Sequence, residues 1–152
     1  MISTIQPANT EIQERRHMIE RLQATLSNMP GAVFGDSDLM PLKHFFSDGI
    51  YTRQITIPAG IMCVGKIHKH EYPSFLLKGR VTVYTEQSGS EEIIAPRLMI
   101  SPAGTKRAVF AHEDTVWVTI HRTDQVDLDE IEKEIITPDY TELDAAERKE
   151  LI

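Results

Sequence analysis

The chain is poor in cysteine, in aromatic residues and in long apolar runs. Its 152 residues include one cysteine, Cys63, so no disulfide can form within the chain and a reducing compartment fits the composition. No apolar stretch approaches the ~18 residues that a membrane span needs. Residues 1–10 lack the basic start and the apolar core of a signal peptide. We therefore expect a cytoplasmic protein with no membrane partner.

The net charge of −7 is concentrated at the C-terminal end of the chain. Residues 124–152 carry 11 acidic and three basic residues, whereas residues 1–123 carry 12 acidic and 13 basic ones. Binding to a nucleic-acid duplex requires a broad basic face, which neither part offers. We therefore expect no nucleic-acid partner, and we interpret the acidic tail as an element for solubility or partner contact.

The N-terminal part of the chain predicts one helix and one loop. Residues 10–28 place four apolar side chains on one helical stripe: Ile12, Ile19, Leu22 and Leu26. That stripe either packs on the rest of the fold or pairs with a second copy. Residues 30–49 contain several Gly and Pro residues and an apolar cluster at 42–46, and we interpret them as a loop covering one barrel edge.

The middle of the chain changes to an apolar period of two at Tyr51. Short strands separated by Gly and Pro turns are predicted over 51–57, 61–67, 75–77, 81–85, 92–95, 98–100, 108–110 and 115–120. Many short strands at this spacing favour a β-sandwich or barrel. Isolated histidines and the single tryptophan are interpreted as structural, although strand parity also allows Trp117 to face a pocket: His44, His112, His121 and Trp117.

The C-terminal part returns to helix. Asp127 followed by Glu130 predicts a capping box before a helix containing Ile131 and Ile135. Pro138 ends that helix, and residues 141–152 predict a last short one. The chain is therefore divided into an N-terminal helix and covering loop over 1–49, a barrel over 50–123 and an acidic helical tail over 124–152.

Two motifs in the barrel resemble those of a known family. The first contains Gly60, His68-Lys69-His70 and Gly79, and the second runs from Pro102 through Gly104 to Arg107. In order and spacing they resemble the cupins, in which Gly…His-x-His…Glu…Gly precedes Pro-x-Gly-x-x-His. The resemblance covers roughly residues 50–122. It implies a mainly β protein with a single cupin jelly-roll β-barrel, flanked here by an N-terminal amphipathic helix and C-terminal helices.

A narrower resemblance concerns where the protein acts. Residues 65–70, 101–107 and 112–117 resemble segments of uncharacterised small cupins carried by tailed phages. That resemblance implies that the protein works in the cytoplasm of an infected bacterial host cell. The wider family also implies a homodimer or a higher homo-oligomer, because cupins often pair through sheet edges and exchanged terminal segments.

The metal-site positions depart from the cupin pattern. The resemblance implies a metal held by two histidines, a glutamate and a final histidine. Here the glutamate position is Tyr72, with Glu71 one residue away, and the final position is Arg107. Arginine offers no lone pair and repels a cation. A divalent metal (iron, manganese, nickel or zinc) would therefore depend on His68, His70 and Glu71, although a one-residue slip turns a strand side chain to the other face.

The same positions predict an anion site. Side chains two apart on a strand share a face, so several basic groups are expected to converge with Arg107 in one pocket, and Lys106 is expected near its rim. A guanidinium binds phosphate or carboxylate through two parallel hydrogen bonds. The candidate ligand-binding residues are Lys66, His68, His70, Tyr72, Lys106 and Arg107. The alternative is that Arg107 pairs with Glu71 in a filled, inert core.

Four functions remain open. We favour non-enzymatic binding or sequestering of an anionic small molecule, such as a nucleotide or a nucleotide-derived signal, with no catalytic residue assigned. The second is a metal-dependent isomerase or oxygenase that uses His68, His70 and Glu71. The third is a metal-free sugar-nucleotide epimerase with His68 or His70 as base and Tyr72 or Tyr84 as acid. The fourth is a structural or partner-binding protein.

Overall fold

The structure is a computed structural model that describes residues 5–34, 36–138 and 140. In these residues two helices flank eleven strands. The helices are α1 (Ile5–Ser27) and α2 (Leu128–Ile135), and the strands are β1 (Leu42–Ser47), β2 (Ile50–Ile57), β3 (Met62–Val64), β4 (Ile67–His68), β5 (Tyr72–Lys78), β6 (Arg80–Thr85), β7 (Gly89–Ile94), β8 (Arg97–Ser101), β9 (Arg107–Ala111), β10 (Thr115–Arg122) and β11 (Ile136–Thr137). The helix predicted over 141–152 lies outside the described residues. Neither helix is long and apolar enough to cross a membrane.

The strands form two main antiparallel sheets. One has five strands in the order β1-β2-β10-β5-β8, and the other has four in the order β3-β9-β6-β7. A small β11-β4 pair closes one end. The inner faces of the two sheets share one apolar core: Ile57, Leu76, Val81, Val83, Ile93, Val109, Ala111 and Trp117. This arrangement confirms the predicted mainly β fold.

Residues 42–47 form a strand, where the sequence predicted a loop. They pair antiparallel with β2, from Leu42 opposite Ile55 to Ser47 opposite Ile50. Gly49, at φ +71°, supplies the left-handed residue of the tight turn that joins them. The loop prediction was wrong because the Gly and Pro residues lie on both sides of the segment and not inside it. The hairpin adds a strand to the five-stranded sheet.

The two helices contact different parts of the barrel. Helix α1 begins at Ile5, five residues before its predicted start, and packs on β3, β6 and β9 of the four-stranded sheet. Its Ile19 is almost fully buried. Helix α2 begins as predicted, because the Asp127 carboxylate accepts hydrogen bonds from the backbone N–H groups of Asp129 and Glu130. It packs Ile131 and Ile135 against Tyr51.

The strand register separates an apolar end from a polar end inside the barrel. Ile55 lies opposite Trp117 in the apolar layer. In the next layers Arg53 lies opposite Thr119 and Tyr51 lies opposite His121, while β5 places Ser74 beside Thr119. We call the inward side chains beyond the apolar layer the polar end: Tyr51, Arg53, His68, Tyr72, Ser74, Ser101, Arg107, Thr119 and His121. The functional site is built from this end.

Two turn glycines provide a matched test of the fold. Gly79 has φ +100°, and a Cβ there would lie 2.5 Å from the Thr115 hydroxyl oxygen and 2.7 Å from the Asp114 carbonyl oxygen. Gly60 has φ +85°, but a Cβ there meets nothing within 4 Å. We expect Gly60→Ala to lower the free energy of unfolding by about 1 kcal/mol through backbone strain. Gly79→Ala adds overpacking, so we expect a loss of about 3 kcal/mol. Urea unfolding measures the loss in each variant. Equal losses would contradict the predicted clash of a Cβ at position 79.

Candidate functional site

Arg107 lies at the centre of the polar end. It begins β9 in the four-stranded sheet, and its guanidinium reaches across the barrel to the five-stranded sheet. It donates to the Tyr72 hydroxyl oxygen at 3.0 Å, to the Ser74 hydroxyl oxygen at 3.3 Å and to the Ser101 hydroxyl oxygen. All three acceptors are neutral. Among the described residues, no carboxylate forms an ion pair with Arg107.

Aromatic rings surround the same guanidinium. Its central carbon lies 5.0 Å from the centroid of the Trp117 ring and 5.5 Å from that of the Tyr72 ring. Both distances are within the range of a cation–π contact. The buried Nε1–H of Trp117 finds no acceptor in the described part of the chain. Trp117 therefore belongs both to the apolar core and to the floor of the polar end, which its strand parity allowed.

Two histidines stack beside Tyr72. The rings of His68 and His121 are nearly parallel, with an interplanar angle of 2° and 5.2 Å between centroids. Burial lowers the pKa of His68 to about 3, helped by nearby His121, Arg107 and Arg53. Burial and then Arg53 lower the pKa of His121 to about 4. Both imidazoles are therefore neutral at pH 7, and the buried Nδ1 of His68 has no hydrogen-bond partner among the described residues.

Arg53 is a site residue that the sequence analysis missed. It lies on β2 between the buried Tyr51 and Ile55, opposite Thr119 of β10. Its charge acts on the pKa values of Tyr51, His68 and His121, which places it among the side chains of the polar end. Its side chain forms no hydrogen bond or ion pair with any other described residue. The signal that identifies it is strand parity, because Tyr51, Arg53 and Ile55 alternate on one face.

A cavity of about 340 Å³ opens beside the histidine pair. Its walls come from the end of the barrel and from α2: His68, His70, Glu71, His121, Arg122, Glu134 and Ile135. Contacts between Lys66 and Glu132, and between the Lys69 ammonium and the Lys133 carbonyl oxygen, hold α2 in place. The volume lies within the range of small-molecule pockets.

The structure brings together only part of the predicted site. His68, Tyr72 and Arg107 meet inside the barrel, while His70 lies exposed at the cavity wall. Lys66 points outward to Glu132, which corrects the expectation that it converges with His68. The reason is that strand β4 contains only Ile67–His68. Lys66 and His70 lie outside this strand, so the alternation of side chains along a strand does not fix their directions.

Lys106 is also outside the polar end. It lies in the turn before β9 and is buried under α1, where its ammonium donates to the Gln23 side-chain oxygen and its backbone N–H donates to the Glu86 carboxylate. Burial lowers the pKa of Lys106, although Glu20 and Glu86 oppose that shift. The expected position near the pocket rim is therefore wrong, since the lysine joins the N-terminal helix to the barrel.

The side chains of the polar end do not fit a divalent metal. The described residues contain no group of three or more His, Cys, Asp or Glu side chains placed to hold a metal ion. Glu71 is exposed at the cavity wall and does not join His68 in the interior. The positive charges of Arg107 and Arg53 lie near His68 instead and contribute, after burial, to its lowered pKa. The three-ligand set His68, His70 and Glu71 does not assemble.

Two further expectations also meet a different geometry. The inert alternative required Arg107 to pair with Glu71, but the hydrogen bonds of Arg107 go to hydroxyl groups. The epimerase alternative required a histidine and a tyrosine facing each other across a substrate. The rings of His68 and Tyr72 instead pack together at 4.4 Å between centroids, and the Tyr84 hydroxyl donates to Met18 of α1 outside the barrel.

The histidine pair predicts how stability depends on pH. Because the folded-state pKa values of about 3 and about 4 lie below the unfolded value of 6.5, the unfolded state binds more protons between these limits. The contribution to stability is fully present above pH 6.5 and is lost as pH falls toward 4. Each histidine adds a slope of at most about 1.4 kcal/mol per pH unit. We expect His121→Phe to flatten the pH dependence of the urea-unfolding free energy between pH 6.5 and 4.5. If His121→Phe kept the wild-type dependence of the unfolding free energy on pH, this would contradict the interpretation of His121 as a buried neutral imidazole.

Comparisons with known proteins support the fold and leave the activity open. Neither a scan against protein-family models nor a search of curated proteins finds a match. Among solved structures, ectoine synthase from P. lautus aligns at a TM-score of 0.54 and 12% identity, covering 68% of this chain and 78% of its own. KdgF from Halomonas sp. aligns at 0.51 and 12%, covering 62% and 88%. The plu4264 protein from Photorhabdus luminescens aligns at 0.51 and 10%, covering 70% and 94%. The chain therefore has the cupin fold that its two motifs predict.

Proposed function

We propose that the protein binds an anionic small molecule at the polar end of the barrel without converting it. The observation that carries this proposal is Arg107, a guanidinium inside the barrel whose hydrogen bonds to the described residues all go to neutral hydroxyl groups. Arg107 is partly buried, and a charge withdrawn from water without a counter-ion among the described residues costs free energy. A ligand phosphate or carboxylate would supply the missing negative charge through charge-assisted hydrogen bonds.

The surroundings of Arg107 favour an anion over a cation. Arg53 adds a second positive charge, and the two histidines are uncharged at pH 7. The Trp117 ring presents a buried N–H donor that has no acceptor in the described part of the chain. The side chains of the polar end are thus donors, arginine cations or neutral hydroxyls. A metal ion would meet repulsion there, whereas an anion would meet complementary potential.

The proposed ligand is a nucleotide or nucleotide-derived molecule whose base would enter the neighbouring cavity. The cavity of about 340 Å³ lies against the stacked rings of His68 and His121. Aromatic and imidazole faces bind planar bases by stacking. A phosphate bound by the arginine side chains would leave the base to occupy the cavity. In the cytoplasm of a phage-infected bacterium, such binding would sequester a nucleotide-derived signal.

The histidine pKa values support binding over acid–base catalysis. A general base works best when its pKa lies near the operating pH. His68 and His121 have pKa values of about 3 and about 4, so they hold a proton poorly at neutral pH. Tyr72 engages Arg107 through its hydroxyl oxygen. These groups are suited to shaping a binding site.

The test is ligand binding by Arg107→Gln compared with Arg80→Gln. Arg80 is a barrel arginine on the surface, paired with Glu92 outside the site, and provides the matched control. We expect thermal-shift and calorimetric screening of chelator-treated protein with nucleotides, sugar nucleotides and divalent metals to identify an anionic ligand. At 100 times its dissociation constant that ligand adds about 2.7 kcal/mol of stability. Arg107→Gln should lose this effect and Arg80→Gln should keep it.

Two results would contradict the proposal. Stabilisation by iron, manganese, nickel or zinc alone would show that the polar end holds a metal despite its two arginines. Equal affinity of the Arg107→Gln variant and the parent for the anion would place the binding site elsewhere. The urea-unfolding curve of each variant shows whether it is folded before its binding is interpreted.

A further inference from the structure

We propose that Arg53 is a second anion-binding residue and that the site therefore prefers a dianionic phosphate monoester. This inference rests on the proposed function, because it specifies the charge of the ligand. Arg53 faces the barrel interior from β2, while Arg107 faces it from β9 in the opposite sheet. Both guanidinium groups act on the pKa of His68, so His68 lies within the field of both.

The two arginines differ in how firmly they are held. Arg107 donates to three hydroxyl groups and contacts two aromatic rings, which fix its position. The side chain of Arg53 forms no hydrogen bond or ion pair with any residue that the structure describes. The guanidinium of Arg53 carries five N–H donors and uses none of them on the described residues, so it is available to bind a ligand. Arg107 would anchor the anion, and Arg53 would complete its coordination.

Charge balance then selects the class of anion. With both histidines neutral, the two guanidinium groups give the polar end about two positive charges. A phosphate monoester carries about −1.5 to −2 at pH 7, with a second pKa near 6. A phosphodiester or a carboxylate carries about one negative charge. A monoester such as a nucleoside monophosphate therefore neutralises the site, whereas a cyclic nucleotide leaves one arginine uncompensated.

Calorimetry with AMP, 3′,5′-cyclic AMP and inorganic phosphate at pH 7.5 tests this inference. AMP and its cyclic form share a nucleoside and differ by about one charge. We expect the parent to bind AMP at least about tenfold more tightly than cyclic AMP, and to bind inorganic phosphate. Arg53→Gln should lose at least about tenfold in affinity for AMP while changing cyclic AMP binding little. Arg53→Lys, which keeps the charge, should recover part of the loss.

The outcomes separate this inference from the proposed function. If Arg107→Gln abolishes anion binding while Arg53→Gln leaves the AMP preference unchanged, the role of Arg53 is overturned and the binding function stands. If cyclic AMP binds as tightly as AMP to the parent, the preference for a dianion is overturned. If no anion binds the parent protein, the proposed function itself fails. Arg80→Gln again serves as the control for a general loss of positive charge.

Discussion

The guanidinium of Arg107, held inside a barrel by hydroxyl groups, is the interaction on which the chemistry of the polar end depends. It joins β9 of one sheet to β5 and β8 of the other through Tyr72, Ser74 and Ser101. Because these partners are neutral, the positive charge is oriented but not cancelled. Burial lowers the pKa of His68 most, and nearby His121 and then the charge of Arg107 add to that shift. The same charge disfavours any cation nearby. An arginine at this position therefore supports the proposal that the barrel accepts an anion.

The alternation of side chains along a strand decides how much of the fold and of the polar end could be predicted from the sequence. The order of short strands, the two turn motifs and the Asp127 cap follow from local pattern, and the structure reproduces them. Arg107 and Tyr72 could be placed at the site because the motif spacing fixes their positions. Arg53 was also accessible to the same reasoning, since it alternates with Tyr51 and Ile55. It was missed because an arginine within a strand is ordinarily assigned to the solvent face.

The remaining errors arise where parity fails. Lys66 precedes a strand of two residues, so its direction is set by the turn before it and by Glu132 of α2, a contact 66 residues away in sequence. Lys106 lies in a turn, and its direction is set by α1. The hairpin at 42–47 depends on pairing with β2, which local composition does not specify. In each case a tertiary contact decides the outcome, and a single sequence gives no register for such contacts.

The interior of the five-stranded sheet carries a polarity that folding alone does not favour. Polar residues such as Arg53, Ser74 and Thr119 interrupt the apolar layer at one end only. A barrel that needed only to fold would keep this layer apolar, because polar and charged groups inside a protein cost free energy unless they are paired. The proposed anion would pair with both guanidinium groups, so one bound ligand would offset the cost of the whole polar end.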